Sequence, residues 1–542
     1  MKKLLLLLLA VSPAVSFGQD PPARSEPPTF RETVEVRVMD LDVVVTDSRG
    51  RPVPDLARED FQVRVDGSAV PIDYFARVDE GTIHAPDLAG ASPERVLAEY
   101  RKGGEAYVPR HFLIYVDVGH MSLGARGRAV EALKDLVTRL GPSDLGRVVL
   151  FDRRGKELSE WTSSKETLLS ALSKAQESGV AMSRLLTERQ TLRDIDSTPL
   201  FRLSTRESLA RNYAEEERAA VLQMLEDMRA ELATLTPLPG KKAFLYVSGG
   251  FELQPGYAMA AYATGSFGLS SFSVRNVSQE VDAIVKRANA LEITFYTLDA
   301  RGLTGEGISA AEDDPLAGRP GVAFLAREDS QAGLQTLARE TGGLALVNSN
   351  DLEKGLSRVY QDASTYYSIG VTLSKLSGSG YRDVRVDVTR PGLTVRARRG
   401  YAPRSGAERA RDGAQATLLT NVEYRAFPVT LTTAPPTKQK RRLYALPIQV
   451  TLPASALTFL PEGDVGKAAA ELYIGVIDDR GRMSDIARQE AVFTLPADSA
   501  PDTPVSYTAT LQTRKGNFRV VVNVRDAATG EMGTARADVR VE

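Results

Sequence analysis

A short segment around residue 117 combines an aspartate, a histidine and a serine in a pattern that could do chemistry. An apolar run ends in Asp117, and Gly119, His120 and Ser122 follow at once. A carboxylate with a nearby hydroxyl can hold a divalent cation, and a histidine beside a carboxylate can act as a general base. The segment therefore predicts a cation site or a proton-transfer site at the end of a buried strand.

Two other apolar runs end in polar or small residues. Ser248, Gly249 and Gly250 follow one run, and Asp299 ends another. In an open parallel sheet, ligands bind outside the carboxyl ends of the strands. We therefore predict one ligand-binding rim, made of Asp117, Gly119, His120, Ser122, Ser248, Gly249, Gly250 and Asp299.

Strand and helix patterns alternate over residues 108–364 and must position these side chains. Such alternation is typical of a mostly parallel sheet with helices on both faces. Residues 183–235 interrupt it, because Leu209, Tyr213, Val221 and Leu225 have helical spacing within a strongly charged stretch. We predict a helical insertion over the sheet, either as a solvated cover or as a partner-binding surface.

β-strand patterns lie on both sides of this α/β domain. Alternating residues predict an N-terminal β domain at 33–105, and residues 365–402 share its period and are predicted to complete it. The α/β domain is then an insertion between β segments. Polar residues rich in Ala, Arg and Gly predict a linker at 403–418, and renewed alternation predicts a C-terminal all-β sandwich at 419–542. The predicted fold is therefore multi-domain.

The first residues have the pattern of a secretory signal peptide. Lys2 and Lys3 precede an apolar run that a helix-breaking Pro13 ends, and small residues lead to a predicted cleavage after Gly18. The apolar run is shorter than the roughly 20 residues that span a bilayer, although an uncleaved anchor stays an alternative. We predict a signal peptide at 1–18, an extended linker at 19–32, and a periplasmic or secreted protein that does not span a membrane.

Composition excludes several kinds of function. The 68 basic and 70 acidic residues give a net charge of -2, so no global field attracts nucleic acid. The chain has no cysteine and three histidines. Thiolate catalysis and cysteine-ligated metals are therefore excluded, and a histidine-rich metal site is not predicted.

Several motifs, in a fixed order, resemble a known fold. They are VVVTDSRGRPVPDL with EDF, the strand that ends in Asp117, KKAFLYVSGG, LARETGGLALVNSNDL, YYSIGV and VRARRGYAP. Together they cover about residues 33–403. The sequence resembles the von Willebrand factor A fold and, more narrowly, the VWFA-related family that is widespread in Acidobacteria.

The resemblance implies adhesion or ligand binding through a divalent cation, held by a D-x-S-x-S loop, a distal threonine and a second aspartate after the fourth strand. Asp117 matches the first aspartate. Gly119 and Met121 stand where the two serines are expected, Gly249 stands where the second aspartate is expected, and no distal threonine can be placed. Without these ligands, Mg²⁺ would be held mostly by water.

The sequence therefore predicts no cofactor. A degenerate site for Mg²⁺ or Mn²⁺ at Asp117, Ser122 and Ser248 stays an alternative, since two hydroxyls lie nearby in sequence or on the next strand.

These observations favour an exported, non-enzymatic adhesion protein that binds a protein, a cell-envelope component or a surface glycan through the predicted rim, without a metal. A structural component of an envelope assembly is one alternative. A hydrolase with His120 as its general base is another, because His120 lies close to an aspartate. The sequence leaves open the ligand and the oligomeric state.

Overall fold

The computed structural model describes residues 8–9, 38–84, 108–178, 183–265, 275–302, 319–372, 380–420, 426–440, 443–479 and 481–542. The predicted linker at 19–32 lies outside these residues, as does the predicted signal peptide apart from Leu8–Leu9. The chain divides into two units, and each is described by itself. One is Val36–Pro403, and the other is Met1–Glu35 with Arg404–Glu542.

The strands are numbered in chain order. They are β1 (Leu8–Leu9), β2 (Val38–Thr46), β3 (Phe61–Val65), β4 (Ser68–Val70), β5 (Tyr74–Asp79), β6 (Thr82–His84), β7 (Arg110–Asp117), β8 (Leu145–Phe151), β9 (Gly155–Glu157), β10 (Lys241–Ser248), β11 (Ile293–Asp299), β12 (Ala345–Leu346), β13 (Tyr366–Thr372), β14 (Arg382–Val388), β15 (Thr394–Arg396), β16 (Gly400–Tyr401), β17 (Thr430–Thr433), β18 (Thr437–Lys440), β19 (Leu443–Pro453), β20 (Leu460–Glu462), β21 (Val465–Asp478), β22 (Ala487–Pro496), β23 (Pro504–Thr513), β24 (Gly516–Asp526) and β25 (Met532–Val541).

The α-helices are numbered in the same way. They are α1 (Leu123–Arg139), α2 (Lys165–Glu177), α3 (Ser183–Ser197), α4 (Leu203–Thr234), α5 (Tyr257–Thr264), α6 (Ser278–Ala290), α7 (Pro320–Glu340), α8 (Leu352–Ser364) and α9 (Gly406–Leu419).

Val36–Pro403 contains a β domain built from both ends of its sequence. One sheet has the order β15-β2-β13-β5-β6, and a second has the order β16-β14-β3-β4. Strand β13 pairs antiparallel with both β2 and β5, so residues after the α/β domain pair with residues before it. Alternate residues of β2, such as Met39, Leu41 and Val43, lie in the shared core, as a strand with one buried face requires.

The α/β domain is built on a six-stranded sheet with the order β12-β11-β10-β7-β8-β9. Its strands run parallel except β9, which pairs antiparallel with β8. The prediction of a mixed fold, with a largely parallel sheet and further β-sheets, is confirmed. Because β7 and β10 are central neighbours, Asp117 and Ser248 reach the same edge of the sheet.

Helices cover both faces of this sheet. Phe112, Ile114 and Val116 of β7 lie in one core with residues of α1, α2 and α8. The alternate residues face the other way, where Tyr115 donates a 2.9 Å hydrogen bond to Asp227 of α4. The even positions of β7 thus pack against three short helices, and the odd positions face α4.

The predicted helical insertion at 183–235 forms a helical hairpin, α3 followed by the 32-residue α4. Its helices also contact α5, since Tyr213 of α4 shares a core cluster with Ala258 and Met259. The hairpin is therefore a packed layer of the α/β domain and supplies side chains to the edge where β7 and β10 end.

The second unit contains two five-stranded sheets that share one apolar core. One sheet has the order β1-β23-β19-β17, with β18 also on β19, and the other has the order β20-β21-β24-β25, with β22 also on β21. Leu8 and Leu9 pair antiparallel with Leu511 and Thr510 at the edge of β23.

The linker predicted at 403–418 is wrong, because these residues form helix α9. Ser405 caps the helix by accepting a bond from the Glu408 amide, and Glu408 bonds back to the Ser405 amide. Ala410, Ala414 and Leu418 then pack on the sheet of the same unit. An alanine-rich segment with a good N-cap and one apolar stripe is a helix, not a spacer.

Among the described residues, none of the helices has the length and apolar character needed to cross a bilayer.

Candidate functional site

Asp117 lies fully buried at the end of β7. Its Oδ2 atom accepts three hydrogen bonds, from His120 Nδ1 at 2.7 Å, the Tyr246 hydroxyl at 2.8 Å and the Ser248 hydroxyl at 3.0 Å. Tyr246 and Ser248 occupy alternate positions of β10 and so face the same side of the sheet. Two strands and the turn after β7 therefore converge on one carboxylate oxygen.

An ionic chain continues from His120 into the helical hairpin. His120 Nε2 lies 3.5 Å from Glu217 Oε1 on α4. Arg184 of α3 donates from Nε to both Glu217 oxygens, at 2.7 and 2.8 Å, and its Nη2 atom lies 3.7 Å from Glu252 Oε1. Acidic and basic groups alternate along this chain, as buried charges require.

The surroundings shift the pKa values of this cluster strongly. Burial alone would lower the pKa of His120, but the carboxylates of Asp117 and Glu217 outweigh it and raise that pKa to about 9. Burial would raise the pKa of Glu217, but Arg184 and His120 lower it to about 2. Burial, supported by the charge of Glu217, raises the pKa of Glu252 to about 8, although Arg184 opposes it. The two carboxyls are thus shifted in opposite directions: contact with the cations favours the ionised form of Glu217, and burial favours the protonated form of Glu252.

The residues around Asp117 do not fit a divalent cation. Oδ2 already accepts three hydrogen bonds, and only Oδ1 has no hydrogen-bond partner among the described residues. A Cβ atom on Gly249 would collide with the His120 carbonyl oxygen. An aspartate at that position is therefore excluded. Within the described part of the chain, no group of three or more acidic or histidine side chains is arranged to hold a metal.

The other predicted ligand positions are used for folding. Met121, at one of the expected serine positions, packs in the core beside α1. Ser122 is the N-cap of α1, and its hydroxyl accepts a 3.2 Å bond from the Ala125 amide. Gly119 leaves only open space and the Asp117 Oδ1 atom beside it. The side chains at 119, 121 and 122 therefore supply no oxygen ligand for a cation at Asp117.

The remaining rim residues belong to a second cluster or to the backbone. Asp299 is buried and accepts bonds from Arg301 Nε and Gln331 Nε2, at 2.9 and 3.0 Å. Gly250 has a φ of +85° and donates its amide to the Ser248 hydroxyl at 3.1 Å, a conformation that glycine adopts without strain. The structure thus brings Asp117, His120 and Ser248 together, while Asp299 contacts other partners.

The His120 side chain of the rim lies against the hairpin instead of facing solvent. The side chain of His120 is 3% exposed, and both of its ring nitrogens face carboxylates. A general base must reach its substrate. The geometry therefore gives no support to a hydrolase centred on His120.

Sequence reasoning missed Arg184, Glu217 and Glu252 as members of this cluster. One signal was present: Glu217 falls between Tyr213 and Val221 at four-residue spacing, on the stripe that is otherwise apolar. All three residues of that stripe are buried. A carboxylate on the apolar stripe of a helix predicts a buried cation as its partner.

No protein-family model matches the sequence, and no curated protein matches it. Solved structures do resemble it. An aerotolerance-related membrane protein from Bacteroides fragilis is 13% identical, with 47% of this chain and 98% of that chain covered and a TM-score of 0.25. Proximal thread matrix protein 1 from the mussel byssus, in a structure with a zinc-occupied MIDAS motif, is 15% identical, with coverages of 48% and 47% and a TM-score of 0.25.

A von Willebrand factor type A protein from Catenulispora acidiphila is 10% identical, with 89% of this chain and 73% of that chain covered and a TM-score of 0.22. Identities this low concern the fold alone. The strand order of the sheet, with its antiparallel edge strand β9, is that of a mostly parallel α/β sheet, in agreement with the resemblance to the von Willebrand factor A fold noted in the sequence.

Proposed function

We propose that the chain is an exported, non-enzymatic binding or assembly protein whose α/β domain contacts a protein partner without a divalent cation. The hairpin of α3 and α4 supports this role, because it covers the predicted rim and presents its own turn to solvent. In that turn Leu200 is 74% exposed and Phe201 is 84% exposed. The contact is therefore assigned to the hairpin turn, and not to the ends of the strands.

A buried arginine holds this turn in one conformation. Arg206 Nη1 donates to the carbonyl oxygens of Ile195 and Thr198 at 2.7 and 2.9 Å, and Nε donates to that of Ala263 at 2.8 Å. Binding costs less ordering entropy when the contact residues are already fixed. An exposed aromatic side chain on a rigid turn suits an interface hot spot.

The surroundings of the turn favour a protein partner with an apolar groove. Charges of both signs flank it, including Arg193, Asp196 and Arg202, and Asp196 is paired with Arg319. An anionic membrane would instead favour a basic cluster. A glycan would need hydrogen-bonding groups, which Leu200 and Phe201 do not offer.

Retention of envelope proteins on the immobilised full chain tests the proposal. Leu200→Ser with Phe201→Ser should abolish retention of a partner that the wild type holds. Leu460→Ser is the matched control, since Leu460 is 63% exposed in the other unit. EDTA should change neither result.

Equal retention by the hairpin variant and the wild type would contradict the proposal. So would binding to anionic vesicles alone, which would indicate a membrane surface. Self-association in light scattering without any partner would favour the structural-assembly alternative.

A further inference from the structure

We propose that the His120 side chain, in its charged form and backed by Arg184, is the built-in cation of the Asp117 site and occupies the place of a bound metal. This inference is independent of the hairpin contact, so either proposal can fail alone.

The imidazole ring lies between two carboxylates, with a hydrogen bond to one and an ion-pair distance to the other. One ring nitrogen lies 2.7 Å from Asp117 Oδ2 and the other lies 3.5 Å from Glu217 Oε1. A neutral imidazole carries a proton on only one nitrogen, whereas the charged ring presents a donor on each side. The Nε2 atom makes no hydrogen bond among the described residues, but its 3.5 Å distance from Glu217 Oε1 places a proton there between two negative groups, which favours the charged ring electrostatically.

The cluster balances its own charge. Glu217 receives Arg184 on one side and His120 on the other, and all three side chains are largely buried. Removing a partner from such a chain leaves an uncompensated charge, which is strongly destabilising. The two carboxylates and two cations thus form a closed set that needs no ion from solution.

The backbone fixes the ring in this place. The His120 carbonyl oxygen lies against Gly249, so the turn after β7 and the turn after β10 touch. That contact removes the position of a second acidic ligand and holds the turn that carries the ring. Gly249 and the turn that carries His120 are therefore two parts of one arrangement.

The charge of His120 can be measured directly, because the chain has three histidines. In the full chain with ¹³C-labelled histidine, at about pH 7.5 and thus above the ordinary histidine pKa, one resonance should have the imidazolium shift. It should disappear in His120→Gln and persist in His84→Gln, whose side chain is exposed. A neutral-ring shift for His120 would overturn the proposal.

Two further measurements separate a cation from a merely structural ring. Asp117→Asn should move the His120 resonance to the neutral-ring position, which a packing role would not do. Millimolar MgCl₂, MnCl₂ or EDTA should leave the Tm of the wild type unchanged. A Tm rise with Mg²⁺ that Asp117→Ala abolishes would overturn the proposal, even if His120→Gln fails to fold.

Discussion

The His120 carbonyl oxygen and the Cα atom of Gly249 are in such close contact that no side-chain carbon fits between them. This contact joins the turns after two neighbouring strands, β7 and β10. It gives a physical reason for a glycine at position 249, and it predicts that even a single added methyl group there will destabilise the fold.

Gly249→Ala should lower the free energy of unfolding of the α/β domain by about 1 to 3 kcal/mol, because the two turns must separate. Gly127→Ala is the matched control: Gly127 lies within α1 with open space around it, so alanine should raise stability by up to about 1 kcal/mol. Urea unfolding followed by the fluorescence of the single tryptophan, the buried Trp161, reports on this domain. Equal midpoints for the two variants would contradict the close contact.

Stability of the α/β domain should fall as pH rises above neutral. The pKa of His120 is raised from 6.5 to about 9 by folding, so its contribution is present below pH 6.5 and is lost as pH rises through about 9. Folding raises the pKa of Glu252 from 4.5 to about 8, so the folded protein keeps a proton that the unfolded chain releases. The stability of the domain therefore also falls as the pH rises from about 4.5 to about 8. The ionisable groups that face His120 and Glu252 are Asp117, Arg184, Glu188, Tyr213, Glu217 and Tyr246.

Trp161 fluorescence in urea between about pH 6 and pH 10 measures this loss of stability, whose total for His120 alone is on the order of 3 kcal/mol. His120→Gln should remove the His120 contribution to the pH dependence and leave the Glu252 contribution, whereas His84→Gln should keep both. An unchanged pH dependence in His120→Gln would contradict the assigned role of the ring.

Arg206→Met should loosen the hairpin turn without unfolding the sheet. The variant loses three hydrogen bonds to carbonyl oxygens, at 2.7, 2.8 and 2.9 Å, and leaves those oxygens without the cation. Such losses cost about 1 to 3 kcal/mol each when the group is buried. Limited proteolysis should show faster cleavage at residues 198–203, whereas Arg202→Met, at an exposed position, should be cleaved like the wild type.

Residues 406–419 should be protected from hydrogen exchange, because they form α9. Ser405→Ala removes the cap and should reduce protection by about 1 kcal/mol. Glu408→Gln is the control, since glutamine also completes a capping box. Deuterium uptake of this segment in the full chain, if as fast as in an unstructured linker, would show that no stable helix exists.

Periodicity predicted the mixed fold, because apolar residues are spaced differently in a strand with one buried face and in a helix with one buried stripe. The helix in the segment 403–418 was not predicted, because its Ala, Arg and Gly content is typical of a linker. Ser405 and Glu408 nevertheless have the spacing of a capping box. Composition and capping chemistry indicate different structures for this segment, and the capping box agrees with the observed helix.

Only the residues at strand ends could be predicted as members of the candidate site. Asp117 and Ser248 follow apolar runs, so their meeting at one sheet edge follows from parallel pairing. The hairpin brings Glu217 to His120 and Arg184 to Glu217, and local sequence contains no information on which way a long insertion folds back. The stripe position of Glu217 indicated a buried partner without indicating His120.

Backbone hydrogen bonds of the β domain join the segment that precedes the α/β domain to the segment that follows it. Tyr366 pairs with Val78, the Gly81 amide bonds to the Ser364 carbonyl, and the Val108 amide bonds to the Gly81 carbonyl. The chain therefore leaves for the α/β domain and returns from it at one point. Because β13 pairs with both β2 and β5, tension applied between the two ends of Val36–Pro403 should be carried by these β-strand pairings and should reach the inserted domain only after β13 has separated from both strands.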